Sequence, residues 1–214
     1  QPLAAMKTYL AGARLLLQRK RGEEALSSFQ RIDDLIERMG AITRQLKSYA
    51  RKGGEAFEPI DVRACVSSAL AMMEPQLKHR QVAISRTMPG GPVMIRADRL
   101  RLEQVLINLF RNALDATKGV ADPQVEVLLS AGDTALLQVR DNGHGIRDLD
   151  ALFEPFYTTK QPGDGVGLGL AISSGIIHDF GGRMTARNAQ GGGAVFEIQL
   201  PILPDADQDL AAAE

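Results

Sequence analysis

Apolar and small residues recur in alternating steps of three and four at Leu3, Met6, Leu10, Ala13 and Leu17, and again at Phe29, Ile32, Ile36, Met39, Thr43, Leu46 and Ala50. That spacing predicts two helices, 3–19 and 26–51, each with a coiled-coil-like seam. Between them, Arg19-Lys-Arg-Gly22 puts basic residues near the negative pole of the first helix and a glycine past its end, so the pair reads as a helical hairpin. Two such helices cannot bury both faces alone. Dimerisation through residues 3–50 into a four-helix bundle is therefore expected, the alternative being a seam packed on the chain's own second domain.

Lys52-Gly-Gly-Glu55 breaks the helical pattern and marks a hinge. Beyond it, short apolar alternations predict strands at 57–60, 82–87, 93–96, 124–130, 135–140, 183–188 and 194–200. Helices are predicted from Val62 to Lys78 behind an Asp61 cap, from Asp98 as cap to Thr117, and from Leu168 to Asp179, closed by Gly181-Gly182. This order implies an α+β fold, a mixed sheet covered on one face by helices. The expected domains are a hairpin over 1–52, a sandwich over 53–203, and a small, acidic tail over 204–214 without pattern, expected to be disordered.

Composition narrows the partners. Lys and Arg number 25 against 26 Asp and Glu, so the net charge of −1 supplies no electrostatic footprint for nucleic acid or anionic membrane. The single cysteine, Cys65, excludes an intrachain disulfide and reads as a small buried residue of a helix. No apolar run reaches the roughly 20 residues that span a bilayer, and no signal peptide opens the chain. If the intact protein is a membrane sensor, its spans lie outside this sequence.

The candidate chemistry lies in two glycine-rich turns, Asp141-Asn-Gly-His-Gly-Ile146 and Gly165-Val-Gly-Leu-Gly-Leu170. Gly143 and Gly145 allow the backbone to pass close to a ligand, and Asp141 ends the apolar run Ala135-Leu-Leu-Gln-Val139, where a strand stops. Gly165, Gly167 and Gly169 precede an apolar helix, so their amides would lie at its N-terminus, which favours phosphate. Upstream, Asn108 and Asn112 are four apart and Asp115 is seven from Asn108, so all three leave one face of the long helix. Asparagine is roughly half a kcal/mol worse than alanine in a helix, so two of them among leucines and valines point to a polar patch.

With Glu103-Gln-Val-Leu-Ile-Asn-Leu-Phe-Arg-Asn-Ala-Leu-Asp-Ala116 upstream and Phe153-Glu-Pro-Phe-Tyr-Thr-Thr-Lys160 between the two turns, the four segments resemble, in chain order, the N, G1, F and G2 boxes of sensor histidine kinases. The ATP-binding domain of that family is shared with gyrase, mismatch-repair ATPases and a class of chaperones, and the resemblance covers residues 57–202. It implies the GHKL type of ATP-binding fold, with ATP and Mg²⁺ as cofactors. Asn112 would give an oxygen to Mg²⁺, which needs only one or two hard ligands from protein. Asn108 would lie by the triphosphate as a catalytic residue, and Asp141 would receive the exocyclic amine of adenine. The resemblance further implies that Asp115, Gly143, Gly145, Ile146, Thr159, Gly165, Gly167, Leu168 and Gly169 line the nucleotide. Lys160 reads as a catalytic phosphate contact or as a solvated loop lysine, and Thr158 and Thr159 are similarly open. Phe153 and Phe156 are expected to anchor the loop between the turns on apolar surface.

None of the histidines, His79, His144 and His178, reads as a phosphoacceptor; each suits the surface. Gln1-Pro-Leu-Ala-Ala-Met6 resembles the continuation of the pattern His-Glu-Leu-Asn-Gln-Pro-Leu of dicarboxylate-sensing kinases. The expected phosphoacceptor thus precedes Gln1, and the chain as it stands is expected to bind ATP and Mg²⁺ without autophosphorylating. The resemblance implies the cytoplasmic transmitter of an inner-membrane sensor, passing phosphate from ATP to a histidine and then to a response-regulator aspartate. A gyrase-like ATPase is disfavoured because its water-activating glutamate would stand at Asn108. A nucleotide-binding dimerisation module without kinase activity is the remaining alternative.

Overall fold

The computed structural model describes residues 2–19, 21–29, 32, 57–159 and 167–204. The chain divides into two units, Gln1–Lys52 and Gly53–Glu214.

In the first unit, α1 spans Pro2–Gln18 and a second helical stretch covers 22–29. The turn closes where Arg21 N donates to Leu16 O at 2.9 Å, and the next helix opens where Ala25 N donates to Arg21 O at 3.2 Å. Gly22 is accordingly the first residue of the second helix, not the stop of the first, and that helix starts four residues before the predicted Leu26. An ion pair between Arg21 and Glu24, one helical turn apart, favours the early start. Ala13 and Ala25 are fully buried, whereas Leu10, Leu17 and Phe29 of the predicted seam are 48%, 51% and 38% exposed. The seam beyond Ile32, the hinge at 52–55 and the tail from 205 lie outside the described residues.

In the second unit the elements run β1 (Glu58–Asp61), α2 (Val62–His79), β2 (Ala83–Thr87), β3 (Met94–Ala97), α3 (Arg99–Ala116), β4 (Gln124–Ala131), β5 (Thr134–Asp141), α4 (Gly169–Asp179), β6 (Arg183–Asn188) and β7 (Ala194–Pro201). Both predicted caps form. The Asp61 carboxylate accepts from Arg63 N at 3.0 Å, and Asp98 from Arg101 N at 3.1 Å.

The main sheet has the order β2-β4-β5-β7-β6, with β2 parallel to β4 and the other pairs antiparallel. β1 and β3 do not join it; they pair with each other as a separate antiparallel ribbon. Period-2 alternation sorts the sheet's faces. Val125, Val127, Leu129, Leu137, Val139, Ile198 and Leu200 are buried, while Glu126 and Arg140, paired across β4 and β5, are exposed. Leu102, Val105, Leu106, Leu109, Phe110, Ala113 and Leu114 give α3 a buried face over that core. Each large side chain there contributes roughly 1.5 to 3 kcal/mol by leaving water. Cys65 is buried as expected; desolvation, with Glu103 next in weight, pushes its thiol up to about 11, which keeps it protonated and unreactive.

Candidate functional site

The site is laid out along α3. At one end, Asp141, the last residue of β5, is 2% exposed, and its Oδ1 accepts from Gly143 N at 2.8 Å and Ala194 N at 3.3 Å. Burial raises its pKa; the two amides, and after them His144, oppose that rise. Asn142 ties the turn to the start of β4, its Oδ1 accepting from Gln124 N at 2.8 Å and its Nδ2 donating to Asp122 O at 2.7 Å. His144 N donates to Ala116 O at 3.3 Å, and a Cβ on Gly143 would stand 2.3 Å from that same oxygen, so only glycine lets the turn approach the end of α3.

At the other end, α4 starts at Gly169 behind Leu168, which makes no side-chain cap bond. Among the described residues no side chain caps its leading amides, the groups that a helix start offers to solvent or a ligand. Asn108 packs on this first turn, donating from Nδ2 to Ser173 Oγ at 3.0 Å, and a Cβ on Gly169 would stand 2.5 Å from Asn108 Oδ1. From Asn108 to Ala116 is about 12 Å along the helix at 1.5 Å per residue. The turn of Asp141 and the start of α4 are therefore held apart by two helical turns of α3, with half-buried Asn112 between them.

Asp115 is also half-buried and lies 3.6 Å from Arg80 Nη1, whose guanidinium also donates to Leu114 O. This partner draws it toward the end of α2. Gly145 and Ile146 complete the first turn, Gly167 and Leu168 precede α4, and Thr159 is exposed; Lys160 and Gly165 lie outside the described residues. Phe153 is half-buried, in line with an anchoring role, but Phe156 is 70% exposed. Its backbone is held instead: Phe156 N donates to Gly167 O at 2.9 Å with a φ of 69°, and Leu152 is the buried apolar side chain nearby in sequence. His79, His144 and His178 are all exposed.

The sequence reading missed Ser173, which engages Asn108, and Asn188, whose amide bonds both backbone groups of Ile146. It also missed Gly193, where a Cβ would stand 1.9 Å from Asp141 O at a φ of +85°. The run Gly191-Gly192-Gly193 was the available signal of a close backbone approach; an asparagine at a strand end carries none. Two surface concavities adjoin these residues, one on the open sheet face by Glu126, Arg140 and Arg187, the other by Arg80, Asp122 and Gln124.

A buried carboxylate at a strand end, with the N-terminus of a second helix about two turns away along α3, fits a nucleotide-binding α/β sandwich. Residues 97–204 match the profile of the histidine kinase-, DNA gyrase B- and HSP90-like ATPases, and the chain belongs to that family. The C4-dicarboxylate transport sensor protein DctB of Pseudomonas aeruginosa is 39% identical over 209 residues, covering 95% of this chain and 34% of that protein. Among solved structures, the nucleotide-free catalytic domain of histidine kinase ThkA superposes with a TM-score of 0.61 at 28% identity, over 68% of this chain and 95% of that one. Full-length ShkA in complex with AMPPNP gives a TM-score of 0.68 at 26% identity, over 86% of this chain and 40% of that one. The chain spans about a third of the length of the curated relatives it matches. Residues 97–204 carry the ATP-binding, catalytic domain of a two-component sensor histidine kinase. No helix among the described residues is long and apolar enough to cross a membrane.

Proposed function

We propose that this chain is the transmitter portion of a two-component sensor, which binds ATP with Mg²⁺ and serves transfer of the γ-phosphoryl group to a histidine on the hairpin and then to a response-regulator aspartate. One observation carries the reading: Asp141, buried and held through Oδ1 by two amides, lies about two helical turns along α3 from the uncapped start of α4. Asp141 Oδ2 then accepts the exocyclic amine of adenine, and the Gly167–Gly169 amides and the α4 dipole take the phosphates. Asn112, half-buried between the two ends, fits Mg²⁺, a hard cation that keeps waters and phosphate oxygens and takes few protein ligands. Bound Mg²⁺ would neutralise phosphate charge; the protein's part is to position and to exclude water.

Asn108 favours phosphoryl transfer over hydrolysis. A gyrase-like ATPase needs a general base at that position, whereas a carboxamide is not basic enough to take a proton from water. In this reading Asn108 holds α4 in place, Lys160, Gly165 and Thr159 complete the phosphate end, and Asp115 belongs to the end of α3 beside the Asp141 turn. Residues 1–52 are the dimerisation hairpin, in which the exposed Leu10, Leu17 and Phe29 meet a second copy. None of the three histidines lies in 1–52, so these 214 residues are expected to bind nucleotide without autophosphorylating. The C4-dicarboxylate transport sensor relatives fit a cytoplasmic module of a membrane sensor. The test is mass spectrometry of the intact protein after incubation with ATP, looking for acid-labile phosphate. Phosphate on a histidine just upstream of Gln1 is expected; phosphate on His79, His144 or His178 would reject the assignment.

A further inference from the structure

Asn188 closes β6 and reaches across 42 residues of sequence to Ile146. Its Oδ1 accepts from Ile146 N at 2.7 Å and its Nδ2 donates to Ile146 O at 2.9 Å. A single side chain thus satisfies both backbone groups of one residue, the service that a neighbouring strand gives inside a sheet. Ile146 has no strand partner of its own, since residues 142–150 form no regular element. The same amide lies against the preceding residue, where a Cβ on Gly145 would stand 2.8 Å from Asn188 Oδ1. Just past Asn188, the same hairpin contributes Ala194 N to the Asp141 carboxylate and the close packing of Gly193 on Asp141 O. The β6–β7 hairpin therefore grips the turn at both ends, Asp141 through Ala194 and Ile146 through Asn188.

Stability alone is a poor account of this contact. Asn188 is exposed, and an exposed amide adds little apolar burial to the fold. Its hydrogen bonds also form where water can replace them, which puts their stabilising effect at the low end of the usual range. What water cannot replace is a fixed direction for the Gly145–Ile146 peptide.

We propose that Asn188 is a positioning residue of the base pocket, holding the Gly145–Ile146 peptide so that the wall beside the Asp141 carboxylate is formed before the nucleotide arrives. The inference rests on the reading of Asp141 as the adenine site. Substitution should then act on the base end of the ligand and spare its phosphate end.

The test uses Asn188→Ala and the isosteric Asn188→Asp, with ATP, adenosine and inorganic triphosphate each competing against a fluorescent ATP analogue on the whole chain. Both variants should lose affinity for ATP and adenosine by a common factor of about ten, the effect of one to two hydrogen bonds, with triphosphate affinity unchanged. The aspartate variant keeps the volume and the acceptor for Ile146 N but sets a carboxylate against Ile146 O. Its loss therefore cannot come from a missing side chain, and it carries the test alone if the alanine variant does not fold. Retained adenosine affinity in either folded variant would overturn the proposal, as would equal loss of triphosphate. A wild type that binds no adenine ligand would overturn the assignment of Asp141 as well, which separates the two failures.

Discussion

At the base end of the groove the backbone is fixed by groups far apart in sequence: Asn142 reaches Asp122 and Gln124, Asn188 reaches Ile146, and Ala194 reaches Asp141. At the phosphate end the described contacts are fewer. Asn108 meets Ser173 and Phe156 N meets Gly167 O, and the ligating groups are the amides that any helix leaves open at its start. The contrast assigns different work to the two ends. A turn fixed by distant groups around a buried carboxylate suits discrimination between bases, where an unpaired polar group is penalised; helix amides suit a phosphate chain whose charge needs no fixed orientation.

The largest expected effect comes from the base end. Gly193→Ala would put a Cβ 1.9 Å from Asp141 O at a φ of +85°, against backbone that the sheet holds in place. Strain and overpacking together should cost about 3 kcal/mol or more in urea unfolding, with nucleotide binding lost alongside. Gly169→Ala at the phosphate end meets the Asn108 amide at 2.5 Å, which is the end of a side chain and can move. It should cost about 1 kcal/mol. Equal costs for the two would remove the contrast.

Next in size is base selectivity. In the proposed site an adenine amine would donate to Asp141, whereas guanine would bring a carbonyl oxygen to the same place. Leaving a buried acceptor unpaired costs about 1 to 3 kcal/mol, so ATP should be preferred over GTP by at least roughly tenfold. Asp141→Asn should narrow that preference, since a rotated amide can donate to the guanine oxygen. Competition of the two nucleotides on wild type and variant measures both. Below this comes Asn112→Ala, which should remove the increment in ATP affinity that Mg²⁺ provides and change stability by less than about 1 kcal/mol. A variant that keeps the increment would take Asn112 out of the metal site.

Legibility in the sequence followed the same divide between local and long-range. Helices α1 to α4 and all seven strands were legible because period and caps are local signals; Asp61 and Asp98 cap as their spacing implied. Gly22 was misread because a glycine after basic residues looks like a stop, and the Arg21–Glu24 pair that starts the next helix is as common a surface pattern as any. The core carboxylate Asp141 was legible from its place between an apolar run and a glycine turn. The partners that set its surroundings, Asn188, Ala194 and Ser173, were not, because a contact across more than 40 residues leaves no periodic trace. Phe156 was expected to bury its ring, but it is exposed while its backbone N–H donates to Gly167 O, a contact that hydrophobicity alone does not signal.

The smallest effect concerns pH and sharpens the picture of Asp141 as a group kept for binding at a cost in stability. Burial raises its pKa in the folded chain above the ordinary value of 3.8, the Gly143 and Ala194 amides offsetting only part of the rise. Between 3.8 and the raised value the folded state binds more protons than the unfolded one, so stability falls as pH rises through that window. Above it the charged carboxylate imposes a constant penalty. Asp141→Asn is neutral at every pH, and its carbonyl can still accept from both amides. In the absence of nucleotide the variant should therefore melt above the wild type at pH 7, and the gap should close as pH is lowered toward 4. Because every other carboxylate is common to both proteins, its titration cancels in the difference. Melting both proteins from pH 4 to 8 gives that difference directly, and a wild type that gains on the variant as pH rises would show that the amide bonds, not burial, dominate the Asp141 carboxyl.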